Sequence, residues 1–353
     1  MGAPDPVPAP SRHEALDRFR GLALVAMLVH HLIGWLIGRD ARAVLPGWHG
    51  FAVTDVAAPA FFVTAGMSAA LLVRSRRRKG MPAPQIAGQV LRRYGLLVPL
   101  GIGLRLALGW SPDGFGVLEA LGVAVVAATA LATVLPDHVE LTAAAVTLGV
   151  GMLVERAVVA NHDWVSVELV GGKFPVITYV GFALVGVAVV DGGRHRDRAW
   201  VASAALLTSA ATILLVVRGM SPDRYPGDLR FVVPGLAGTA IAYALTQLDW
   251  PALLAPLDLL LRRAAAHTLG IFLAHYALYG ALEQIGVTGS VPEMAAVAIA
   301  VAVMLALCLA APLVPPLPWS PRTGRVGDGG PVVTSSTIAT TISTSTNSER
   351  VAL

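Results

Sequence analysis

The sequence LDRFRGLALVAMLVHHLIGWLI occupies residues 16–37 and decides the kind of fold that this chain adopts. Beyond Arg20 the run is apolar and long enough for a helix to cross a bilayer, which takes roughly 17–25 residues. It nevertheless contains His30 and His31, and it begins with Asp17 and Arg20. Charged side chains inside a membrane cost roughly 2.5–3.5 kcal/mol each and so default to functional candidates. The stretch therefore predicts a membrane-spanning helix with a polar face.

The whole chain has the same apolar character. Hydrophobic residues make up 55% of its 353 residues and charged residues only 14%, whereas a soluble domain is roughly a quarter charged. These values exclude a soluble enzyme, a nucleic-acid-binding protein and a secreted disulfide scaffold, and they predict an all-α, polytopic membrane helix bundle. About ten transmembrane helices are predicted, near residues 20–38, 52–73, 91–110, 115–135, 141–158, 175–190, 199–217, 231–247, 265–282 and 292–313.

The arginines predict the orientation of these helices. With the N-terminus inside, 17 of the 26 basic residues fall on the inner side and six on the outer side. Because cytoplasmic loops carry the excess of basic residues, both termini are expected in the cytoplasm. Of the basic residues 24 are arginine, a bias that indicates a GC-rich bacterial genome and hence a multi-pass protein of the bacterial cell (plasma) membrane. The basic run at residues 74–79 is expected to touch anionic membrane lipids, or phosphates of a cosubstrate.

The two ends of the chain differ from its middle. Residues 1–12 are rich in proline and residues 319–353 in serine and threonine, without apolar periodicity, and both are expected to be disordered. The first residues have no basic region before an apolar core, so no cleaved signal peptide is expected. Residues 13–318 form the predicted transmembrane domain.

Arg20 and His31 define a polar face on the first helix. They are eleven residues apart, which is three turns plus roughly 20°, so both lie on one face about 16 Å apart along the axis. Asp17 shares this stripe, whereas His30 points about 100° away. Asp17 and Arg20 alone could form an ion pair between positions i and i+3, and a lone histidine could be a hydrogen-bonded structural residue. Together, the charge at one end and the titratable base at the other indicate a polar groove.

A second group of polar residues precedes the second predicted helix. Trp48-His49-Gly50 leads to Asp55, four residues before Pro59. Asp55 is interpreted either as a helix N-cap or as the carboxylate that orients a histidine base. Arg105 lies inside the third predicted span and requires a partner there. The chain has no metal-binding or phosphate-loop motif, so no metal is expected.

Several of these segments resemble one enzyme family. Residues 16–23 together with His31 resemble the opening of the transmembrane acyltransferase superfamily, including the Arg-x10-His pattern of bacterial membrane O-acyltransferases. Residues 48–66, 116–122, 174–186 and 269–276 are similar to segments of the heparan-α-glucosaminide N-acetyltransferase branch. The resemblance covers most of residues 14–190 and 266–310. The chain departs from that branch at Leu45, where the branch has its proposed catalytic histidine, and at Glu119-Ala120, where it has Gln-Arg.

The resemblance implies an enzyme that moves an acyl group, expected to be acetyl, from cytoplasmic acyl-CoA to a hydroxyl or amine acceptor such as a sugar or glycoconjugate. Its expected catalytic residues are His31, His49 and Asp55, with either histidine as base or acyl carrier. The residues expected to bind substrate or CoA are Asp17, Arg20, His30, Arg92, Arg93, Arg105 and His275. Acetyl-CoA or another acyl-CoA is the expected cosubstrate, and a homodimer is left open.

A transporter or flippase for a small polar or lipid-linked solute is the alternative prediction. Ten spans, intramembrane charges and helices interrupted by glycine and proline, as at Val233-Pro234-Gly235, are typical of transporters. Such proteins are commonly built from two related halves, and no inverted pairing of the arginine–histidine motif is visible between residues 1–175 and 176–320. The absence of two related halves favours the enzyme over the transporter.

Overall fold

The computed structural model describes residues 12–38, 40–41, 44–45, 47–48, 51–110, 115–136, 139–158, 174–191, 193, 197–220 and 228–310. All structural statements below concern these residues. The predicted disorder of the chain ends stays a prediction, because residues 1–11 and 311–353 lie outside the described ranges.

The described chain is a bundle of α-helices, as the sequence predicts. In chain order these are α1 (Arg12–Ile37), α2 (Ala57–Arg78), α3 (Ala83–Val90), α4 (Leu97–Ala107), α5 (Val117–Val134), α6 (Glu140–Val158), α7 (Val176–Asp191), α8 (Arg198–Val217), α9 (Leu229–Thr246), α10 (Ala255–Ala266), α11 (Thr268–Gln284) and α12 (Glu293–Ala310). Between α1 and α2 lie two short strands, β1 (Gly47–Trp48) and β2 (Phe51–Ala52), which pair antiparallel.

Each predicted span overlaps an α-helix of the structure. Six helical segments are long and apolar enough to cross a membrane by length and composition, at α1, α2, α5, α8, α9 and α12. The apolar parts of α6 and α7 are shorter. The exact number of about ten crossings and the cytoplasmic position of both termini therefore stay predictions.

The third predicted span, residues 91–110, is not one uninterrupted α-helix. A π-helical turn at Leu91–Gly95 separates α3 from α4. Pro99 has no backbone N–H to donate to the carbonyl of Gly95, so the regular hydrogen-bond ladder cannot run through this point. The helix restarts at Leu97 with Pro99 in its first turn, where proline is tolerated.

The core of the bundle is centred on α7, which packs against α2, α5 and α6. This helix is apolar on all sides, a pattern typical of a buried helix, and Tyr179, Phe182 and Leu184 are almost completely buried. The backbones of α2 and α7 touch at Gly66, where an added Cβ would lie 2.0 Å from the carbonyl oxygen of Ala183. Small residues let membrane helices approach this closely.

The periphery of the bundle exposes large apolar side chains instead of polar ones. On α8 Leu206 is 72% exposed, and on α12 Met294 is 78% exposed. Such extended apolar surfaces are rare on soluble monomers, whereas they match a lipid environment. The chain is therefore a multi-pass membrane protein.

The first helix connects both ends of the bundle. We call the end at which α1 begins the inner end, following the predicted orientation, and the opposite end the outer end. Near the inner end Gly21 packs against the backbone of Leu261 in α10. Near the outer end the carbonyls of Trp35 and Leu36 accept hydrogen bonds from the segment before α12. Residues at both ends of α1 are thus held in fixed positions.

Candidate functional site

The structure brings His31 of α1 and His275 of α11 together in the outer half of the bundle. The Nδ1 atom of His31 lies 3.3 Å from Nε2 of His275, and the two rings stack with an angle of 16° between their planes. His275 is fully buried, and its Nδ1 contacts the carbonyl oxygen of Phe272. The sequence singles out both histidines but predicts no contact between them.

Beside this histidine pair lies an open cavity with a volume of about 610 Å³, within the range of roughly 300–1,000 Å³ typical of ligand sites. We call it the outer cavity. Its larger lining side chains are His30, His31, Trp35, Asp40, Tyr279 and Thr288, and the others are glycine and alanine. His31 therefore belongs both to the histidine pair and to the wall of the outer cavity.

Four aromatic side chains adjoin the pair, and we call them the aromatic cluster: Trp35, Trp110, Tyr276 and Tyr279. Trp35 and Tyr276 contact the histidine rings, and Trp110 and Tyr279 pack against these two. The rings of Trp35 and Tyr279 are 4.1 Å apart between centroids, and Trp35 also stacks on His31 and His275 at 5.5 Å. No expectation from the sequence included this cluster. A signal was present, because Trp35 follows His31 by four residues and Tyr279 follows His275 by four, which is one helical turn.

His30 faces a different neighbour from His31, in agreement with their predicted angular separation. Its Nδ1 lies 2.7 Å from Oγ1 of Thr54 in the 3₁₀ turn Val53–Val56. The carboxylate of Asp55 in the same turn is buried and accepts a hydrogen bond of 2.7 Å from the backbone N–H of Ala52. Asp55 is thus the third residue of this turn and not the N-cap of α2, a position that Val56 occupies, so the N-cap interpretation of Asp55 is wrong. Its role as the partner of a histidine base stays a prediction, and His49 lies outside the described residues.

Arg20 occupies the inner half of α1. Its Nη2 donates to Oγ of Ser68 in α2 at 2.6 Å, and its Nη1 lies 3.4 Å from Oδ1 of Asp17. The ion pair between positions i and i+3 predicted from the sequence is therefore present. Arg93 and Tyr94 lie near enough to interact electrostatically with Arg20. The structure thus places Asp17 in contact with Arg20, and Arg93 within electrostatic range of Arg20.

Arg92 and Arg105 lie apart from this group. Arg92 is exposed on the π-helical turn. Arg105 donates from Nε to Oε1 of Glu119 at 2.8 Å, so it has the intramembrane partner that the sequence requires. Glu119 is buried and interacts electrostatically with Tyr276 of the aromatic cluster. This ion pair therefore lies beside the outer half of the site rather than beside Arg20.

The basic run at residues 74–79 contributes to a second, small cavity at the inner end. Arg74 and Arg77 line this space of about 80 Å³ together with Thr129 and Thr133 of α5. Arg77 follows Ser68 by nine residues, which is half a turn round α2 at about 100° per residue. The small cavity therefore lies on the opposite face of α2 from Arg20, and the inner cations form two separate groups.

A buried ion pair between Arg18 and Asp258 was missed by the sequence analysis. The guanidinium Nε of Arg18 lies 2.6 Å from Oδ1 of Asp258 in α10, and it also approaches the carbonyl of Thr246 and the ring of Trp250. Arg262 binds the other carboxylate oxygen of Asp258 at 2.7 Å. The available signal was that Asp258 is the single acidic residue in the apolar stretch 251–266.

The fold and the site define a multi-pass membrane protein with a histidine pair beside a cavity at one end of its bundle. Within the described ranges no three His, Cys, Asp or Glu side chains come together as a metal site would require.

A family model for the catalytic domain of heparan-alpha-glucosaminide N-acetyltransferase matches residues 12–222. Because the match covers more than half of the chain, the chain belongs to this family, as the resemblance of its first helix predicts. No match was found among curated proteins. The family membership indicates a membrane-type acetyltransferase and the use of acetyl-CoA. The match includes Arg20, His31 and Asp55 and ends before His275.

Proposed function

We propose that the protein is an integral-membrane acyltransferase that moves an acetyl group from acetyl-CoA to a hydroxyl or amine of a sugar or glycoconjugate. His31 acts as the general base. The observation that carries this proposal is the position of His31, which is paired with His275 and at the same time lines the outer cavity. Arg20 lies on the same face of α1, about 16 Å nearer the inner end.

The outer cavity suits an acceptor that carries both flat apolar faces and hydroxyl groups. Trp35 and Tyr279 present aromatic rings, and Asp40 adds a carboxylate to the lining. Pockets of this kind combine apolar and aromatic walls with a few polar groups that fix orientation. A pyranose ring has these properties, since its C–H faces pack on aromatic rings while its hydroxyls or amine bind polar groups.

The chemical step needs a base at the acceptor. Neutral His31 takes the proton of the acceptor hydroxyl or amine while the acceptor lone pair attacks the thioester carbonyl carbon. The carbon–sulfur bond then breaks, and the CoA thiolate takes the proton from the His31 imidazolium. General-base assistance of this kind contributes about 10²–10⁴-fold in rate.

The donor enters from the inner end in this proposal. Its phosphates require cations, and Arg20 with the neighbouring Arg93 supplies them near the inner half of α1. Guanidinium groups bind phosphate oxygens through charge-assisted hydrogen bonds. We further propose that the protein resides in the plasma membrane of a bacterium, with cytoplasmic termini and its acceptor on the outer side.

The test measures transfer of label from radiolabelled acetyl-CoA to glucosamine and to glucose in membranes that contain the protein. His31→Ala should lower kcat by about 10²–10⁴-fold, the loss expected when a general base is removed. His267→Ala is the matched control, because this histidine lies at the inner start of α11 and should leave kcat unchanged.

His49→Ala is assayed in parallel, because His49 is the other candidate base. Wild-type transfer by His31→Ala together with loss of transfer by His49→Ala would assign the base to His49. If neither sugar acquires label and the purified protein instead moves a solute across liposomes without CoA, the transporter alternative is correct.

A further inference from the structure

We infer that His275 is a positioning residue that holds His31 with its hydrogen on Nδ1, so that the lone pair of Nε2 is the basic atom. The catalytic meaning of this inference rests on the proposed function. The inference itself comes from the chain of contacts that runs from Phe272 through His275 to His31.

The first link fixes the hydrogen on His275. Its Nδ1 contacts the backbone carbonyl oxygen of Phe272, one turn earlier in α11. A carbonyl oxygen only accepts hydrogen bonds, so Nδ1 of His275 must be the donor and must carry a hydrogen. A neutral imidazole carries only one, and the Nε2 atom of His275 therefore presents a lone pair.

The second link fixes the hydrogen on His31. Its Nδ1 lies 3.3 Å from Nε2 of His275, and two lone pairs cannot share a hydrogen bond. His31 must therefore donate from Nδ1, which leaves its Nε2 unprotonated in the neutral ring. The tautomer of a histidine is set in this way by the partner of its other nitrogen.

The surroundings keep both rings in this arrangement. His275 is completely buried, and a charge on a buried group without a compensating partner is costly, which favours the neutral form. Trp35 stacks on both rings, with an angle of 14° to His275 and 28° to His31. His31 can then neither turn its ring freely nor exchange the roles of its nitrogens.

The arrangement is useful for a base. When Nε2 of His31 takes the acceptor proton, Nδ1–H remains bonded to the Nε2 lone pair of His275, which stabilises the new imidazolium. A carboxylate has this function in the familiar triads of hydrolases. Here a neutral imidazole replaces it, so no buried negative charge is required.

The first test determines the tautomer directly. Protein labelled with 15N-histidine is reconstituted in bilayers, and solid-state NMR identifies which nitrogens carry hydrogen, with a His31→Gln sample to assign the His31 signals. We expect His31 with protonated Nδ1 and unprotonated Nε2, and His275→Leu should give a mixture of both tautomers. A wild-type His31 with its hydrogen on Nε2 would overturn the inference.

The second test compares two substitutions of the positioning residue. His275→Leu removes the atom that accepts the hydrogen bond from Nδ1 of His31. We expect kcat to fall by about 10²-fold, as for a misoriented base, with the KM for acetyl-CoA unchanged. His275→Gln keeps an oxygen acceptor within reach of His31 and should restore kcat to within about tenfold of wild type. Wild-type kcat in His275→Leu, or equal losses in both variants at an intact fold, would contradict the inference.

The two proposals fail separately. The NMR measurement needs neither donor nor acceptor, so a protein with the expected tautomer and no acetyl transfer would retain the positioning contact and refute the acyltransferase. Normal acetyl transfer by a protein in which His31 carries its hydrogen on Nε2 would support the acyltransferase and refute the positioning role of His275.

Discussion

The two halves of α1 use their ionisable residues in opposite ways. In the inner half Arg18 is enclosed by Asp258, Thr246 and Trp250, and its side chain is only 8% exposed. In the outer half His31 has a buried partner on one side and the outer cavity on the other. One helix therefore carries both a charge that is neutralised inside the protein and a histidine that lines a cavity. The partners from other helices distinguish them: the permanently charged Arg18 is matched by a carboxylate, whereas His31, which can be neutral, is matched by another imidazole.

Neighbouring arginines in the inner half sharpen this comparison. Arg18 and Arg20 are two residues apart, but Arg18 forms a buried ion pair with α10, whereas Arg20 binds the hydroxyl of Ser68 and a partly exposed Asp17. The first arrangement neutralises the charge inside the protein. In the second, the Arg20 side chain is 23% exposed, and we propose that it binds a phosphate of the donor.

The largest predicted effect is on the anchor. Asp258→Ala leaves the Arg18 charge buried without its carboxylate, and the loss of one partner of a buried pair typically costs about 3–5 kcal/mol. We expect a decrease of this size in the free energy of unfolding, measured in mixed detergent micelles.

The exposed pair between Arg198 and Asp249, with atoms 3.5 Å apart, is the matched control. Asp249→Ala should change the free energy of unfolding by no more than about 0.5 kcal/mol, because exposed ion pairs contribute little. An Asp258→Ala variant as stable as Asp249→Ala would show that Arg18 has no anchoring role.

The next effect concerns the close approach of α1 and α10. An added Cβ at Gly21 would lie 2.1 Å from the carbonyl oxygen of Leu261, so one backbone must move. Gly21→Ala should therefore lower the free energy of unfolding by about 2–3 kcal/mol, at the upper end of overpacking costs. At Gly103 nothing lies within 4 Å of an added Cβ, and Gly103→Ala should be neutral or slightly stabilising. Equal effects of the two substitutions would contradict the packing at Gly21.

Much of the fold was predictable because the signals are local. Apolar length places a helix at every predicted span, and arginine–histidine spacing correctly describes positions on the continuous helix α1. The interruption at Leu91–Gly95 was missed, although Pro99 marks it, because its effect falls on the carbonyl four residues earlier.

The site was predicted only as separate pieces. His31 and His275 each stood out as ionisable residues in apolar segments, but their contact joins positions 244 residues apart. No periodicity encodes such a contact, since it depends on how α11 packs against α1. The pair between Arg18 and Asp258 was missed for the same reason. By contrast, the pair between Asp17 and Arg20 was predictable, because both residues belong to one turn of one helix.

A smaller effect is expected for Arg20→Gln. This substitution tests anion binding by Arg20 separately from the anchoring ion pair of Arg18. Arg20→Gln should raise the KM for acetyl-CoA about tenfold, equivalent to about 1.4 kcal/mol, because a charge-assisted hydrogen bond to phosphate is lost. The value of kcat should stay near wild type, since Arg20 lies far from the reacting atoms. Arg198→Gln, at an exposed position, is the control and should leave KM unchanged. An unchanged KM in Arg20→Gln would remove Arg20 from the donor site.

The smallest effect tests whether His30 shares the role of its neighbour. The hydrogen bond of 2.7 Å between His30 and Thr54 ties α1 to the turn before α2, and Thr54→Val should cost about 0.5–1.5 kcal/mol of unfolding free energy, the usual value of one hydrogen bond. The ring of His30 meets that of His31 edge-on, with 6.2 Å between centroids, but Thr54→Val leaves both histidines in place, so kcat should fall by less than about threefold. Thr208→Val is the matched control, since the Thr208 hydroxyl bonds only to carbonyls of its own helix. A drop in kcat as large as that of His31→Ala would instead show that the two adjacent histidines act together, and the division of α1 into an inner anchor and a single outer base would be wrong.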